Sequence, residues 1–166
     1  MQATLTSRRE VTSGRFAALM ELYESNYILL RRLIPNLTAL EGGSEQRYLS
    51  WRAGAVPLEL SAIEHSRYTS SFRLSYRFSS RRQPSREPDL TIRLYHDARS
   101  AEVMTGLLPS SRRDARGEPR RRRDLGEGMR LNRFFNRWLA YCLRQGHSFD
   151  VEGALREGAT NQSAQN

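Results

Sequence analysis

Apolar spacing alone divides the chain into a helix, a run of alternating segments and a second helix. Phe16, Met20, Tyr23, Tyr27, Leu30 and Ile34 recur at intervals of three and four, which stacks them on one helical face. Leu19, Leu22 and Leu33 broaden the stripe, and Pro35, lacking an N–H, ends it. Residues 1–13 are polar and aperiodic, so a flexible N-terminus is expected there. After Gly42-Gly43 the period changes to two. Short strands are predicted over 48–51 and 58–64, with a tight turn at His65-Ser66. Ser66, Tyr68, Ser70, Phe72, Leu74, Tyr76 and Phe78 then alternate with Arg67, Thr69, Ser71, Arg73, Ser75 and Arg77, one mostly apolar face backed by a hydroxyl-and-arginine face. Leu90, Ile92 and Leu94 repeat the pattern against Thr91, Arg93 and Tyr95, and 101–107 is predicted as the last strand. Leu131, Phe135, Trp138, Leu139 and Cys142 restore the helical period, and Gly146 suits a left-handed stop.

One-sided alternation marks antiparallel sheets with one solvated face, and no helical crossover separates the strands. The fold expected is α+β: a mainly antiparallel sheet of about five strands flanked by N-terminal and C-terminal helices. The single domain spans 14–146, with a loop at about 109–127 and a disordered Gly/Ala/Ser/Asn/Gln-rich tail over 147–166.

Charge changes this picture in one place. All 27 basic residues are arginine, and the net charge is +9. Residues 112–123 hold seven arginines against Asp114 and Glu118, a local +5, leaving +4 on the other 154 residues. The basicity is therefore largely the property of one loop. A lone Cys142 excludes internal disulfides and multi-thiolate zinc sites. No apolar leader or membrane-length run is present, so a cytoplasmic chain is expected.

Three groups of residues are candidates for chemistry. In Tyr95-His96-Asp97, period two sends neighbours to opposite faces, so His96 and Asp97 form a base-and-orienter pair only if a bulge reunites them. A structural corner is the main reading, with a binding contact or a catalytic pair as alternatives. The second group is the hydroxyl-and-arginine strand face with Arg67, Arg73, Arg77 and Arg93, either solvated or a surface for an acidic partner or RNA backbone. The third joins Arg120, Arg121, Arg122 and Arg123 of the loop to Arg130, Arg133, Arg137 and Arg144, which fall on one helical side. Cys142, on an apolar face, reads as a buried inert thiol. There is no Gly-rich phosphate loop and no nucleophile elbow, and neither a cofactor nor a metal is expected.

Four separated segments also carry a family resemblance: Asn26-x-x-x-Leu30-Arg31-Arg32-Leu33-Ile34-Pro35, Ser66-Arg67-Tyr68-Thr69, the stretch Leu94-Tyr95-His96-Asp97-Ala98-Arg99-Ser100-Ala101-Glu102-Val103, and Trp138-Leu139-x-Tyr141-Cys142-Leu143-x-x-Gly146. With these in order, the chain resembles the YqiB-like family of small uncharacterised proteobacterial proteins. The resemblance implies a fold and a compartment rather than an activity. It also makes the N-terminal extension, the arginine run and the tail additions to the family pattern.

The function expected from these observations is a small cytoplasmic, non-enzymatic binding or regulatory protein, a protein-interaction module for an acidic partner. The alternative is non-specific RNA or DNA binding through the arginine-rich loop and helix face. A third reading is a hydrolase using the Tyr95-His96-Asp97 corner.

Overall fold

The computed structural model describes residues 3–78, 87–107, 125–150 and 155–156. Helix α1 (Ala3–Leu33) leads through a short 3-10 turn (Leu37–Ala39) into the strands β1 (Gly43–Ser50), β2 (Leu58–His65), β3 (Thr69–Tyr76), β4 (Asp89–Tyr95) and β5 (Ser100–Leu107). Helix α2 (Leu125–Arg144) and a two-residue strand β6 (Leu155–Arg156) follow. Consecutive strands β1 to β5 pair antiparallel as a meander, and β6 adds to the free edge of β1. The architecture is α+β, with five principal strands and two helices.

The alternation in β3 and β4 builds the core as expected. Phe72 lies opposite Ile92 and Leu74 opposite Leu90, and all four are buried. On β5, Val103 and Ala101 extend these rows. Gly106 faces Leu90 so closely that an added Cβ would collide with the Leu90 side chain. From α2, Leu131, Phe135, Trp138, Leu139 and Cys142 close the core, and Trp138 meets Tyr76 of β3 edge-on at 5.3 Å. Full burial of each large side chain contributes roughly 1.5–3 kcal/mol.

Three features go beyond the apolar pattern. First, α1 begins at Ala3, ahead of the apolar stripe: helical hydrogen bonding requires no apolar period. Second, the buried stripe on α1 is Leu19, Tyr23, Asn26, Leu30 and Leu33, while Phe16 is 57% exposed. The helix is turned so that a polar residue, Asn26, faces inward. Third, the domain continues beyond Gly146, where a disordered tail was expected. Gly146 (φ 82°) lies just beyond α2, with its N–H on Leu143 O and the His147 N–H on Cys142 O, both at 3.0 Å. This is the paired bonding of a Schellman stop. The chain then folds back, so that Phe149 donates to Leu33 O at 2.8 Å and is fully buried. His147 is also buried, 3.0 Å from Ser50 Oγ.

Asn26 and Asn132 explain the turned helix. The outer edge of β5 presents unpaired backbone groups, a liability in any sheet. Asn132 Oδ1 accepts from the Val103 N–H at 3.1 Å, and Asn26 Nδ2 donates to Ala101 O at 3.4 Å and to Asn132 Oδ1 at 3.2 Å. Asn136 donates to Asn26 Oδ1 at 3.0 Å. Side-chain amides from both helices thus take the place of a sixth long strand and fix α1 and α2 against β5.

Candidate functional site

At the Tyr95-His96-Asp97 corner, each of the three residues turns to a different partner. The Tyr95 hydroxyl donates to Glu102 Oε1 at 2.8 Å, across the β4–β5 hairpin. Asp97 Oδ1 accepts the Ala98 N–H at 2.8 Å, within its own turn. The backbone N–H of His96 donates to Tyr68 O at 2.9 Å, and its Nε2 lies 2.8 Å from Ser70 Oγ. The imidazole therefore meets a serine of β3 rather than the neighbouring carboxylate.

Ser70 links two histidines, because its Oγ is also 2.8 Å from His65 Nδ1, and His65 Nε2 is 3.1 Å from Leu40 O. Donor and acceptor inventories set the order. Leu40 O only accepts, so His65 carries a proton on Nε2. A neutral His65 then accepts the Ser70 hydroxyl at Nδ1, and Ser70 accepts from His96 Nε2–H. The chain ties the segment after α1 to the hairpins β2–β3 and β4–β5. Ser70 is 1% exposed, which withholds its hydroxyl from any bulky acyl or phosphoryl centre. Burial is the first cause that lowers the His96 pKa, the Arg31 guanidinium acts in the same direction, and Asp97 pulls against them. Burial, then the Glu102 carboxylate, raises that of Tyr95.

The expected hydroxyl-and-arginine face is present on β3 and β4, but its neighbours change its character. Arg67 lies in the β2–β3 turn, 5.0 Å above the Tyr68 ring, and not on the sheet. Arg77 follows β3, donating its N–H to Pro57 O at 2.9 Å. On the sheet, Arg73 Nε sits 2.9 Å from Asp89 Oδ1, and Arg47 lies 3.1 Å from the buried Glu59. Register sets Arg93 opposite Glu102 and Ser71 opposite Glu64. The face mixes both signs, as solvated surfaces do, instead of forming the acid-free surface suggested by β3 alone. One extra residue in β2, at Ala62 (φ 49°), and one in β5, at Met104, create bulges on either side of β3 and β4. Bulges bend and twist their strands. Between these two lies a basin of about 330 Å³ containing Glu64, Ser71, Arg73, Thr91, Arg93 and Thr105.

The outer side of α2 differs. Arg130, Arg133, Arg137 and Arg144 are all exposed, and Arg144 lies 5.9 Å above the half-exposed Tyr141. Among the described residues none of the four has a carboxylate at salt-bridge distance. Arg15 of α1 joins Arg130 and Arg133 around a groove of about 480 Å³ floored by Gly14, Ala18, Gly126 and Met129. The run 112–123, with Arg120, Arg121, Arg122 and Arg123, lies outside the described residues.

Cys142 is the buried thiol expected; burial pushes its pKa up to about 11, and its Sγ is 3.5 Å from the Tyr76 hydroxyl. Among the described residues no group of three His, Cys, Asp or Glu side chains is placed to hold a metal ion, and no helix is long and apolar enough to cross a membrane. The linked His65, Ser70 and His96 escaped the sequence reading. A signal existed: with the turn at 66–69, His65 must pair with Ser70, whereas a turn placed at His65-Ser66 hides that pairing.

Residues 29–148 match a family described as "Protein of unknown function (DUF1249)". The chain is 31% identical over 134 residues to the "Uncharacterized protein YqiB" of Escherichia coli strain K12, covering 79% of this chain and 90% of that protein. The proteins of the same name from strains CFT073 and O157:H7 match to the same extent. No solved structure matches.

Proposed function

We propose, given that the chain belongs to the DUF1249 family, that it is a cytoplasmic, non-enzymatic binding module taking an acidic protein partner on the outer face of α2. One observation carries this reading. The arginines on the sheet are set beside acids from neighbouring strands, whereas Arg130, Arg133, Arg137 and Arg144 form a like-charged row without carboxylate partners among the described residues. At 1.5 Å per residue the row extends over about 21 Å of a rigid helix. Such a row repels itself in the free protein and gains when an acidic surface covers it, chiefly in association rate and specificity. Arginine suits this role, since its planar fork takes carboxylates in pairs.

Non-specific RNA or DNA binding is the second reading, favoured by the exposed Tyr141 beside Arg144, a pair able to stack on a base. The corner supports an enzymatic reading less well: His96 meets a buried serine, and Asp97 is committed to its own turn. Titration with an acidic peptide and with a single-stranded oligonucleotide, at two salt concentrations, tests the assignment. The proposal expects saturable peptide binding that Arg133→Glu with Arg137→Glu abolishes. Oligonucleotide binding with a steep salt slope, in the absence of peptide binding, would replace it with the second reading.

A further inference from the structure

We propose that the basin on the outward face of the sheet, between the two bulges, binds a small phosphate monoester bearing hydroxyls near its phosphate. This site lies apart from α2 and is independent of the macromolecular reading. Its donors come from adjacent strands. Register places Ser71 opposite Arg93, Arg73 opposite Thr91, and Thr91 opposite Thr105. Two guanidinium groups and three hydroxyls therefore share one concavity. A carboxylate has two oxygens for such a set, whereas a phosphate monoester offers three, tetrahedrally spread, and matches donors converging from three strands. The about 330 Å³ of space is at the lower end of small-ligand sites.

Of the three carboxylates around the basin, two are engaged at its rim, Asp89 by Arg73 and Glu102 by Tyr95. Asp89, with only 10% of its side chain exposed, forms an ion pair with Arg73 on the Nε side of the guanidinium, at 2.9 Å. Glu102 accepts the Tyr95 hydroxyl at 2.8 Å, which occupies part of the carboxylate opposite Arg93. The bulge at Ala62 advances β2 by one residue and brings Glu64 opposite Ser71. Glu64 is the one carboxylate lining the basin among the described residues. It opposes the phosphate charge and accepts hydrogen bonds from hydroxyls, which favours an ester carrying hydroxyls over inorganic phosphate. Both bulges interrupt otherwise regular pairing, and features of this kind re-aim side chains near binding sites.

The test is a backbone-amide NMR titration of the whole protein with glycerol 3-phosphate, inorganic phosphate and glycerol as separate probes. Saturable shifts are expected at Ser71, Thr91, Arg93 and Thr105 with glycerol 3-phosphate, weaker ones with phosphate, and none with glycerol. Arg93→Gln and Thr91→Val should each weaken binding, the former by about tenfold or more. Arg73→Lys keeps a charge beside Asp89 but removes the fork, so it should weaken binding while the melting temperature holds. Glu64→Gln should reduce the preference for glycerol 3-phosphate over phosphate. Shifts confined to α2, no saturation by about 10 mM, or unchanged affinity in correctly folded Arg93→Gln protein would each overturn the assignment.

Discussion

The outward face of the sheet and the outer face of α2 both read as rows of arginine along the sequence, yet they fold into opposite electrostatic situations. On the sheet the nearest neighbours of an arginine come from other strands. Asp89 reaches Arg73, Glu59 reaches Arg47, and Glu102 stands opposite Arg93. On α2 the nearest neighbours are three and four residues away on the same helix: Glu127 precedes Arg130 by three, and those positions around Arg133, Arg137 and Arg144 hold no acid. Periodicity tells which side of an element a residue occupies. Whether its charge is answered there depends on register in a sheet and on local sequence in a helix. The helix row was thus legible in advance, and the sheet row was only half legible.

That contrast rests first on how α2 is seated. Asn132 supplies the acceptor for both the Val103 N–H and Asn26 Nδ2, and all three residues are buried. Asn132→Ala leaves two buried donors without their partner and should cost about 3 kcal/mol. Denaturant midpoints at unchanged slope will measure it. A loss below about 1 kcal/mol would mean that β5 needs no amide cap and that α2 is held by its apolar face alone.

Next in size is a test of the neutralised sheet. Arg47→Ala removes the cation beside Glu59, whose side chain is fully buried. The cost should be about 2 kcal/mol, short of the full penalty for stranding a buried charge. Arg47 is itself 36% exposed, and Glu59 keeps a further interaction. A thermal melt in low and high salt separates the contributions, because a half-buried pair is screened less than an exposed one.

The same physics explains what the sequence disclosed of the fold and of the site. Alternation in 69–76 and 89–95 was clear because dry and wet faces differ at every residue, and the apolar face of α2 was clear for the same reason. The stripe on α1 was misplaced because Asn26 occupies a core position for the sake of an edge in β5, which lies far off in sequence. Phe149, β6 and the contact between His147 and Ser50 were missed because polar, small-residue stretches carry no period, although a single aromatic suffices to anchor one. His65, Ser70 and His96 depend on two hairpin registers at once.

The histidines give a smaller, pH-dependent effect. Burial is the first cause that lowers both His96 and His147 from the ordinary 6.5. A depressed histidine binds its proton more readily in the unfolded chain, so its neutral form favours folding above pH 6.5. That contribution declines as pH falls below 6.5 toward the folded value. Melting temperature should drop with acidification through that window, and His96→Gln should flatten the drop without abolishing it, since His147 still titrates. A melting temperature that rises on acidification would contradict the burial of both rings.

The smallest expected change in stability is also the sharpest form of the comparison. Arg133 and Arg137 are exposed, and among the described residues neither has a carboxylate at salt-bridge distance. Arg133→Ala together with Arg137→Ala should leave stability within about 0.5 kcal/mol of the parent. Alanine favours the helix slightly more than arginine, and relief of like-charge repulsion acts in the same direction. Binding to an acidic peptide should fall sharply at the same time. If the double variant instead lost about 2 kcal/mol, as Arg47→Ala is expected to, the α2 row would be answered by acids in the folded chain, and the distinction between the two faces would disappear. Unchanged stability together with unchanged peptide affinity would leave the row a merely solvated surface and would move the search for the acidic partner elsewhere on the molecule.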